Sequence, residues 1–460
     1  MSSLAAMRRP TTRKPRDMRI LLLLLGALAL AVGTTAGVLL RPTAHGRASG
    51  AVPLETPMLP PTADGHVFWT HLWTKPTPDL VDASVSDDGA TVAWVDNRGA
   101  VRRIAGDSGK TLWQAQKIDG LNRVVAAANG NVYAYSLCNP TQPSVQLFPS
   151  TSAKPAAAIV TPRVVAYPVD GAVWSLTTCE NRAGAGYVAI GTGHSLIYVL
   201  PIAAPSPVAS PPVAPVSASP LPVRFTVPGI PDSLAISGDP SASASPTILV
   251  GSRESASVSA WTVAGQRLWQ PYNISQKNRD LNVRISADGS IAAAISARRP
   301  RGTDAHLLMW DGRNGALIRN EDLRGDDARL LVSPHGNFVA VSYRSQAVSN
   351  PAESRRIALF DRSGDRPPHF PDSGGRYFAP QLAALSVGGG QARITVRDDD
   401  GFIWTLDDHH TYRSRFQLPA NSETKVLPTI ERTLSSVDGR YLLIQRSDGQ
   451  ISLFKARDGA

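Results

Sequence analysis

The stretch that decides the fold is SVSDDGATVAWVDNRGAVRRIAGDSGKTLWQ, residues 84–114. Short alternating apolar segments are separated by Asp/Gly turns, and the stretch ends in Leu-Trp-Gln. Glycine at the last turn position accepts a positive φ, and Asp or Asn satisfies nearby backbone donors, so this pattern is typical of tight hairpins. It predicts four antiparallel strands: SVSDDG carries the first strand and its turn, ATVAWVDN the second, AVRRIAG the third and GKTLWQ the fourth.

The Ser-x-Asp-Gly turn of this stretch recurs along the chain. Copies occur at residues 286–289, 333–336, 386–389 and 436–439, with a weaker one at 128–130, and an apolar strand follows each. Except for the gap between Gly130 and Gly289, neighbouring turns lie 41 to 53 residues apart, from Gly89 to Gly130 at one extreme and Gly336 to Gly389 at the other. Four-stranded units of this length stack around a ring in β-propellers, because one twisted sheet cannot bury both of its faces. We therefore predict that Gly89, Gly289, Gly336 and Gly439 are the repeat turns of an all-β propeller.

The number of blades follows from the first strands of the units. These are expected near residues 83, 123, 165, 232, 281, 328, 380 and 432, which gives eight four-stranded blades, or seven if the second and third are one. The last unit ends after three strands, and HVFWTHLWTK at 66–75 is a spare strand. We expect that strand to be the outer strand of the last blade, because closing the ring removes its free edges. The Pro-rich segment 203–222 is predicted to be a surface insertion.

The GKTLWQ ending returns as GQRLWQ at 265–270. The Ser-x-Asp-Gly turns resemble those of WD-repeat-like propellers, and the two endings resemble quinoprotein-like, pyrroloquinoline-quinone-type repeats. That resemblance, which covers residues 66–460, implies a propeller in which Trp113, Trp269 and Trp73 are structural docking residues between blades. The chain departs from the quinoproteins because it lacks the adjacent Cys pair that covers the quinone, and only two units keep the complete ending. We therefore expect no cofactor, with the quinone or Ca²⁺ as the alternatives.

The N-terminal region predicts a membrane anchor. Half of the formal charge of +10 lies in residues 1–19, and residues 20–40, ILLLLLGALALAVGTTAGVLL, carry no charge. Such a segment is long enough to span a bilayer, and the basic flank places residues 1–19 in the cytoplasm. The prediction is a cytoplasmic tail (1–19), a single transmembrane signal-anchor helix (20–40), a Pro-rich linker (41–65) and an extracytoplasmic propeller (66–460). A cleaved signal peptide is the alternative.

The two cysteines, Cys138 and Cys179, fall in the part predicted to lie outside the cytoplasm, where disulfides persist, so we expect them to pair. Two unrelated buried thiols are the alternative. Asp398 to Asp400 could hold a cation, but they lack the further alternating ligands and distal Glu of a calcium loop, so a turn between strands is favoured. His409-His410 are also assigned to a turn, because adjacent strand residues point to opposite faces.

Two classes of function remain. Gly-x-Ser-x-Gly, His-Glu-x-x-His and phosphate-binding Gly-rich motifs are absent from the sequence. No catalytic, cofactor-binding or metal-binding residue can therefore be assigned. Basic runs interleaved with aromatic residues are also absent beyond the N-terminus, which argues against nucleic-acid binding. We expect a membrane-tethered, non-catalytic binding or scaffold module for a protein, peptide or glycan of the cell envelope. A quinoprotein-like or hydrolytic enzyme with its site in the central channel is the alternative.

Overall fold

The computed structural model describes residues 68–457 with gaps, and most of the described residues form short strands. The residues outside the description are 1–67, 78, 116, 142, 151–163, 181–184, 203–221, 239–244, 275–278, 299–304, 346–354, 364–380, 389, 398–401, 408–411, 419–427 and 458–460. The predicted tail, transmembrane helix and linker, together with most of the Pro-rich insertion, lie outside the described residues. In the described part of the chain, no helix is long and apolar enough to cross a bilayer.

The strands form eight antiparallel sheets, and each sheet is one blade. In blades 1 to 7, strands that follow one another in sequence pair side by side, so the blade is built from consecutive hairpins. The first four blades are β2 (Leu80–Val85), β3 (Thr91–Asp96), β4 (Val101–Ala105) and β5 (Thr111–Gln114); β6 (Arg123–Ala126), β7 (Val132–Tyr135), β8 (Ser144–Phe148) and β9 (Val165–Pro168); β10 (Val173–Glu180), β11 (Gly186–Thr192), β12 (Leu196–Ile202) and β13 (Val223–Thr226); β14 (Ser233–Ile236), β15 (Thr247–Ser252), β16 (Ser257–Thr262) and β17 (Arg267–Asn273).

The second half of the ring repeats this plan with two variations. Blade 6 has three strands among the described residues, and blade 8 combines the two ends of the propeller. The strands are β18 (Arg279–Ile285), β19 (Ile291–Arg298), β20 (His306–Asp311) and β21 (Leu317–Asp322); β22 (Gly325–Val332), β23 (Phe338–Ser345) and β24 (Arg355–Asp361); β25 (Gln381–Gly388), β26 (Gln391–Arg397), β27 (Phe402–Asp407) and β28 (Tyr412–Gln417); β29 (Ile430–Ser435), β30 (Tyr441–Arg446), β31 (Gln450–Ala456) and β1 (Trp69–Pro76).

The ring is closed by the N-terminal strand, as the sequence predicted. Strand β1 pairs antiparallel with β31, so that Trp73 lies opposite Leu453 and Pro76 opposite Gln450. The backbone N–H of Thr77 then donates to the carbonyl of Gly449 (2.7 Å), which extends the contact beyond the strand. The first and last segments of the propeller therefore share one sheet, and the four strands of blade 8 come from both.

The prediction of eight blades is confirmed, but one blade boundary is wrong. Residues 165–168, expected as the first strand of the third blade, form β9, the outer strand of blade 2. The first strand of blade 3 is β10, which begins at Val173. Asp170 and Gly171 resemble the turns inside a blade, and here they lie between two blades, with Gly171 at φ 87°. The Pro-rich insertion lies between β12 and β13 of blade 3.

The core lies between blades, because alternate residues of each strand face opposite neighbours. On β3, Val92 and Trp94 belong to the apolar cluster shared with blade 8, whereas Ala93 and Val95 belong to the one shared with blade 2. All four side chains are buried. Strands with two buried faces read as continuous apolar runs, such as TVAWVD, and the stacking of such sheets holds the innermost strands in a ring.

Candidate functional site: the central cavity

The innermost strands of all eight blades line one cavity of about 540 Å³. They are β2, β6, β10, β14, β18, β22, β25 and β29, and each contacts its two neighbours around the ring. Small-molecule and peptide sites commonly have volumes of roughly 300–1,000 Å³. The cavity is therefore large enough to be a binding site, and its chemistry depends on the side chains that point inward.

Two arginines on adjacent blades line the cavity, Arg284 on β18 and Arg329 on β22. Arg284 is enclosed by the ring, yet its side chain is exposed to the cavity volume, and its guanidinium donates to its own neighbour, the carbonyl of Val283 (3.1 Å). Burial lowers the pKa of Arg284. Burial also lowers the pKa of Arg329, and the carboxyl of Asp327 opposes that change. Asp327 is itself paired with Arg355 (3.1 Å).

Two buried polar atoms on the lining residues have no hydrogen-bond partner among the described residues, Asn282 Oδ1 and Thr433 Oγ1. Thr433 is buried, and Asn282 lies two residues before Arg284 on the same strand. Buried polar groups in proteins normally form hydrogen bonds, so both atoms mark places where the cavity wall could form a hydrogen bond with a ligand.

An ion pair between an arginine and a carboxylate joins the innermost strands of blades 8 and 1. The guanidinium of Arg432 on β29 pairs with the buried carboxylate of Asp82 on β2. The other oxygen of Asp82 accepts from the backbone N–H of Val124 on β6 (3.0 Å). Blades 8, 1 and 2 are thereby joined through one carboxylate. Because Arg432 has this counterion, its charge is compensated in a way that those of Arg284 and Arg329 are not.

Two carboxyls, Asp87 and Glu180, lie where the first strands end and turn into the second strands; we call them the acidic pair. Asp87 accepts from the backbone N–H of Val437, and burial raises its pKa to about 6. Glu180 accepts from the backbone N–H of Asn129 (2.6 Å), and burial with the nearby Asp87 raises its pKa to about 7. Both bonds join different blades, so the acidic pair links blade 1 to blade 8 and blade 3 to blade 2.

The repeat turns hold the hairpins around this end of the cavity. In the first copy, Ser86 Oγ donates to Asp88 (2.6 Å) and accepts from the N–H of Thr91 (3.0 Å). The same bonds occur at residues 286–291 and 436–441, whereas the 333–338 copy, with His335 in place of Asp, keeps only the bond from Phe338 N–H to Ser333. The four turn glycines have positive φ between 64° and 69°: Gly89, Gly289, Gly336 and Gly439.

The three tryptophans of the Leu-Trp endings are buried on the outer strands, and each contacts the next blade. Trp73 donates its indole N–H to the carbonyl of Gly106 in blade 1 (2.7 Å). Trp269 approaches the carbonyl of Gly312 in blade 5 with a longer bond (3.4 Å). Trp113 stacks on Phe148 of blade 2 with ring centroids 5.5 Å apart, and its indole N–H has no partner among the described residues.

The expected disulfide is absent, because Cys138 and Cys179 are both free thiols. The N–H of Cys138 donates to the carbonyl of Val173, at the start of β10, whereas Cys179 is near the end of that strand. Six residues of extended chain separate these positions, roughly 20 Å at about 3.3 Å per residue, and a disulfide needs Cα atoms within about 7 Å. Burial raises the pKa of the Cys179 thiol to about 12, which keeps it protonated and unreactive.

The remaining candidates add no site. Asp398 to Asp400 and His409-His410 lie outside the described residues. Among the residues that are described, no group of three or more His, Cys, Asp or Glu side chains is arranged to hold a metal ion.

The cavity arginines were missed by sequence reasoning, although the sequence carries a signal for them. The first residue of each full repeat turn is a serine, such as Ser86. The residues four and two positions before that serine lie at alternate positions on the innermost strand. These two positions hold Asp82 and Ser84, Asn282 and Arg284, Arg329 and Leu331, Leu382 and Ala384, and Arg432 and Leu434. The third and first residues, by contrast, are mostly apolar. Asn282, Arg284 and Arg329, which line the cavity, thus occupy positions that vary while the turn repeats.

Comparison with known proteins finds a likeness in fold. No protein-family model matches the chain, and no curated protein matches it. Among solved structures, it is similar to the Dos1 propeller (TM-score 0.55, 10% identity, covering 84% of this chain and 95% of that one). It is also similar to Sqt1 of Saccharomyces cerevisiae (TM-score 0.57, 9% identity, covering 85% and 99%). At this identity the likeness is one of fold alone.

Proposed function

We propose that the protein is a non-catalytic binding module that is held at the membrane by residues 20–40 and binds a protein or peptide of the cell envelope in its central cavity. The observation that carries this proposal is the cavity wall itself. Its inward-facing residues depart from the repeat, and they include Arg284 and Arg329 without a carboxylate partner of their own among the described residues. Unlike a docking surface on the outer strands, this wall is contributed by the innermost strands of all eight blades.

Membrane attachment is supported by the sequence alone. The uncharged segment 20–40 follows a basic flank, so the propeller would be exported with its N-terminus left inside. The likeness of the repeats to WD-repeat-like and quinoprotein-like blades belongs to the same proposal. It concerns the type of blade and implies no cofactor.

Site-specific photo-crosslinking in cells tests the location of the binding site. A photoreactive residue replaces Val125 on the cavity wall or, as the matched control, the exposed Leu317 on the outer strand of blade 5. We expect a discrete crosslinked product from position 125 and none from position 317. Products from position 317 alone would place binding on the rim and contradict the proposal, as would the absence of a product from position 125.

Protease accessibility tests the topology separately. Protease added to intact cells whose outer layers have been made permeable should degrade the propeller and leave an N-terminal tag protected. A protected propeller would contradict the proposed orientation.

A further inference from the structure

We propose that the cavity binds a carboxylate group of a peptide through the guanidiniums of Arg284 and Arg329. This inference rests on the proposed function and names the chemistry of its ligand. The two arginines belong to adjacent blades, 5 and 6, and they line the same enclosed volume. Arginine presents several donors in a planar fork that matches a carboxylate, which makes such a pair suited to holding one.

The charge balance of the wall favours an anion. Asp82 is already paired with Arg432, and Asp327 is already paired with Arg355. Asp87 also lines the cavity, but it accepts the N–H of Val437 at the turn end and lies between blades 1 and 8, whereas the two arginines belong to blades 5 and 6. Neither cavity arginine has an ion pair with an acidic residue among the described residues. An enclosed cation is costly without a counterion, so a bound anion would relieve that cost.

The rest of the wall favours a peptide over a polysaccharide or a phosphate polymer. Val125, Leu331 and Leu434 line the same cavity as the arginines, and each side chain keeps part of its surface accessible. A ligand that fills the cavity therefore brings an apolar part together with its charge. Peptides combine an aliphatic side chain with a carboxylate, either at the C-terminus or on Asp or Glu. The volume of about 540 Å³ limits the bound part to a short segment.

Affinity selection from a random pentapeptide library tests the inference on the full chain in detergent. The library is prepared twice, with free C-terminal carboxylates and with C-terminal amides, and bound peptides are identified by mass spectrometry. The variants are Arg284→Met, Arg329→Met and the double variant, and Arg313→Met on the exposed turn of blade 5 is the matched control. Arg284→Lys and a melting curve for each variant separate loss of charge from loss of fold.

We expect the wild-type chain and Arg313→Met to enrich the same peptides, each with an aliphatic residue next to a carboxylate. Each cavity substitution should weaken binding of a recovered peptide about 10- to 100-fold, because it removes charge-assisted hydrogen bonds. Loss of enrichment in the amidated library would assign the carboxylate to the C-terminus. Enrichment of Asp or Glu in both libraries would assign it to a side chain.

The two proposals fail in different ways. If the wild-type chain enriches peptides without a carboxylate requirement, or if folded Arg284→Met and Arg329→Met bind as tightly as Arg313→Met, the carboxylate site is wrong while the binding module stands. If the wild-type chain enriches no peptide from either library, a peptide-binding cavity is wrong altogether.

Discussion

The residues that build the ring and the residues that face its cavity follow different rules. Ring-building residues repeat from blade to blade: Ser86, Ser286 and Ser436 make the same pair of hydrogen bonds, and their turn glycines share one backbone conformation. Residues at the cavity vary between blades: the second position before the turn serine holds Ser84 in blade 1, Arg284 in blade 5, and leucine in blades 6 and 8. The repeated residues therefore determine the scaffold, and the residues that depart from the repeat determine the binding site.

Removing the strand that closes the ring should have the largest effect on the stability of the scaffold. Replacing residues 69–76 with a Gly/Ser sequence of equal length leaves β31 with an unpaired edge and exposes the cluster that contains Trp69. We expect loss of cooperative thermal unfolding and aggregation through that edge. The same replacement at residues 51–58, outside the described propeller, is the control. Circular dichroism melts check the result, and a cooperative transition at the wild-type temperature in the β1 variant would refute closure by this strand.

The next largest effects are expected at the outer-strand tryptophans. Trp73→Ala or Trp269→Ala removes a buried ring and should lower the free energy of unfolding by about 3–5 kcal/mol. Phenylalanine substitutions keep an aromatic ring and remove the indole N–H. The loss in free energy of unfolding should be largest at Trp73, smaller at Trp269 and smallest at Trp113. The hydrogen bond from this N–H is 2.7 Å long at Trp73 and 3.4 Å at Trp269, and the N–H of Trp113 has no partner among the described residues. Chemical denaturation measures each cost. Equal costs at Trp73 and Trp113 would show that the hydrogen bond to the next blade contributes nothing.

A smaller difference in stability is expected between two turn glycines, one that contacts another blade and one that does not. Gly89 and Gly449 have similar φ, 67° and 71°, but a Cβ at Gly89 would clash with the ring of Tyr441, whereas nothing lies within 4 Å of a Cβ at Gly449. Gly449→Ala should cost about 1–2 kcal/mol for the left-handed conformation. Gly89→Ala should cost about 1–3 kcal/mol more through overpacking against blade 8. If denaturation gives the two variants the same free energy of unfolding, the close approach of blade 8 to this turn is wrong.

The smallest expected effect concerns the acidic pair. The folded-state pKa values of Asp87 and Glu180 are raised, to about 6 and about 7, so the folded protein binds more protons than the unfolded chain between about pH 4 and 7. Stability should therefore fall as pH rises through this range. The double variant Asp87→Asn with Glu180→Gln should flatten the profile between about pH 4 and 7, and Asp107→Asn on an exposed turn should not. Melting temperatures measured across that range check this, and an unchanged slope in the double variant would contradict it.

Much of the scaffold was predictable from the sequence because its signals are local. A Ser-x-Asp-Gly turn forms its hydrogen bonds within six residues, and the spare strand at 66–75 is visible from the missing fourth strand of the last unit. The start of blade 3 was missed because Asp170-Gly171 has turn chemistry but joins two blades. The disulfide was wrong because pairing depends on distance along β10, which the cysteine count does not contain.

The binding wall could not be recognised from the sequence for a different reason. Whether an arginine has a counterion depends on carboxylates that other blades bring near it. Arg432 and Arg329 occupy the same position relative to the repeat serine, yet Arg432 meets Asp82 of another blade, whereas Arg329 has only Asp327, which is paired with Arg355. Their sequences alone do not distinguish them.

The most direct test of the account measures stability and affinity in the same variants. We predict that Trp73→Ala and Gly89→Ala lose free energy of unfolding but bind a library-selected carboxylate peptide with wild-type affinity at a temperature where they remain folded. Arg284→Met should bind that peptide about 10- to 100-fold more weakly while its free energy of unfolding stays unchanged or rises, because it removes an enclosed, unpaired charge. Equal losses of stability and affinity in all three variants would contradict the division between scaffold and site.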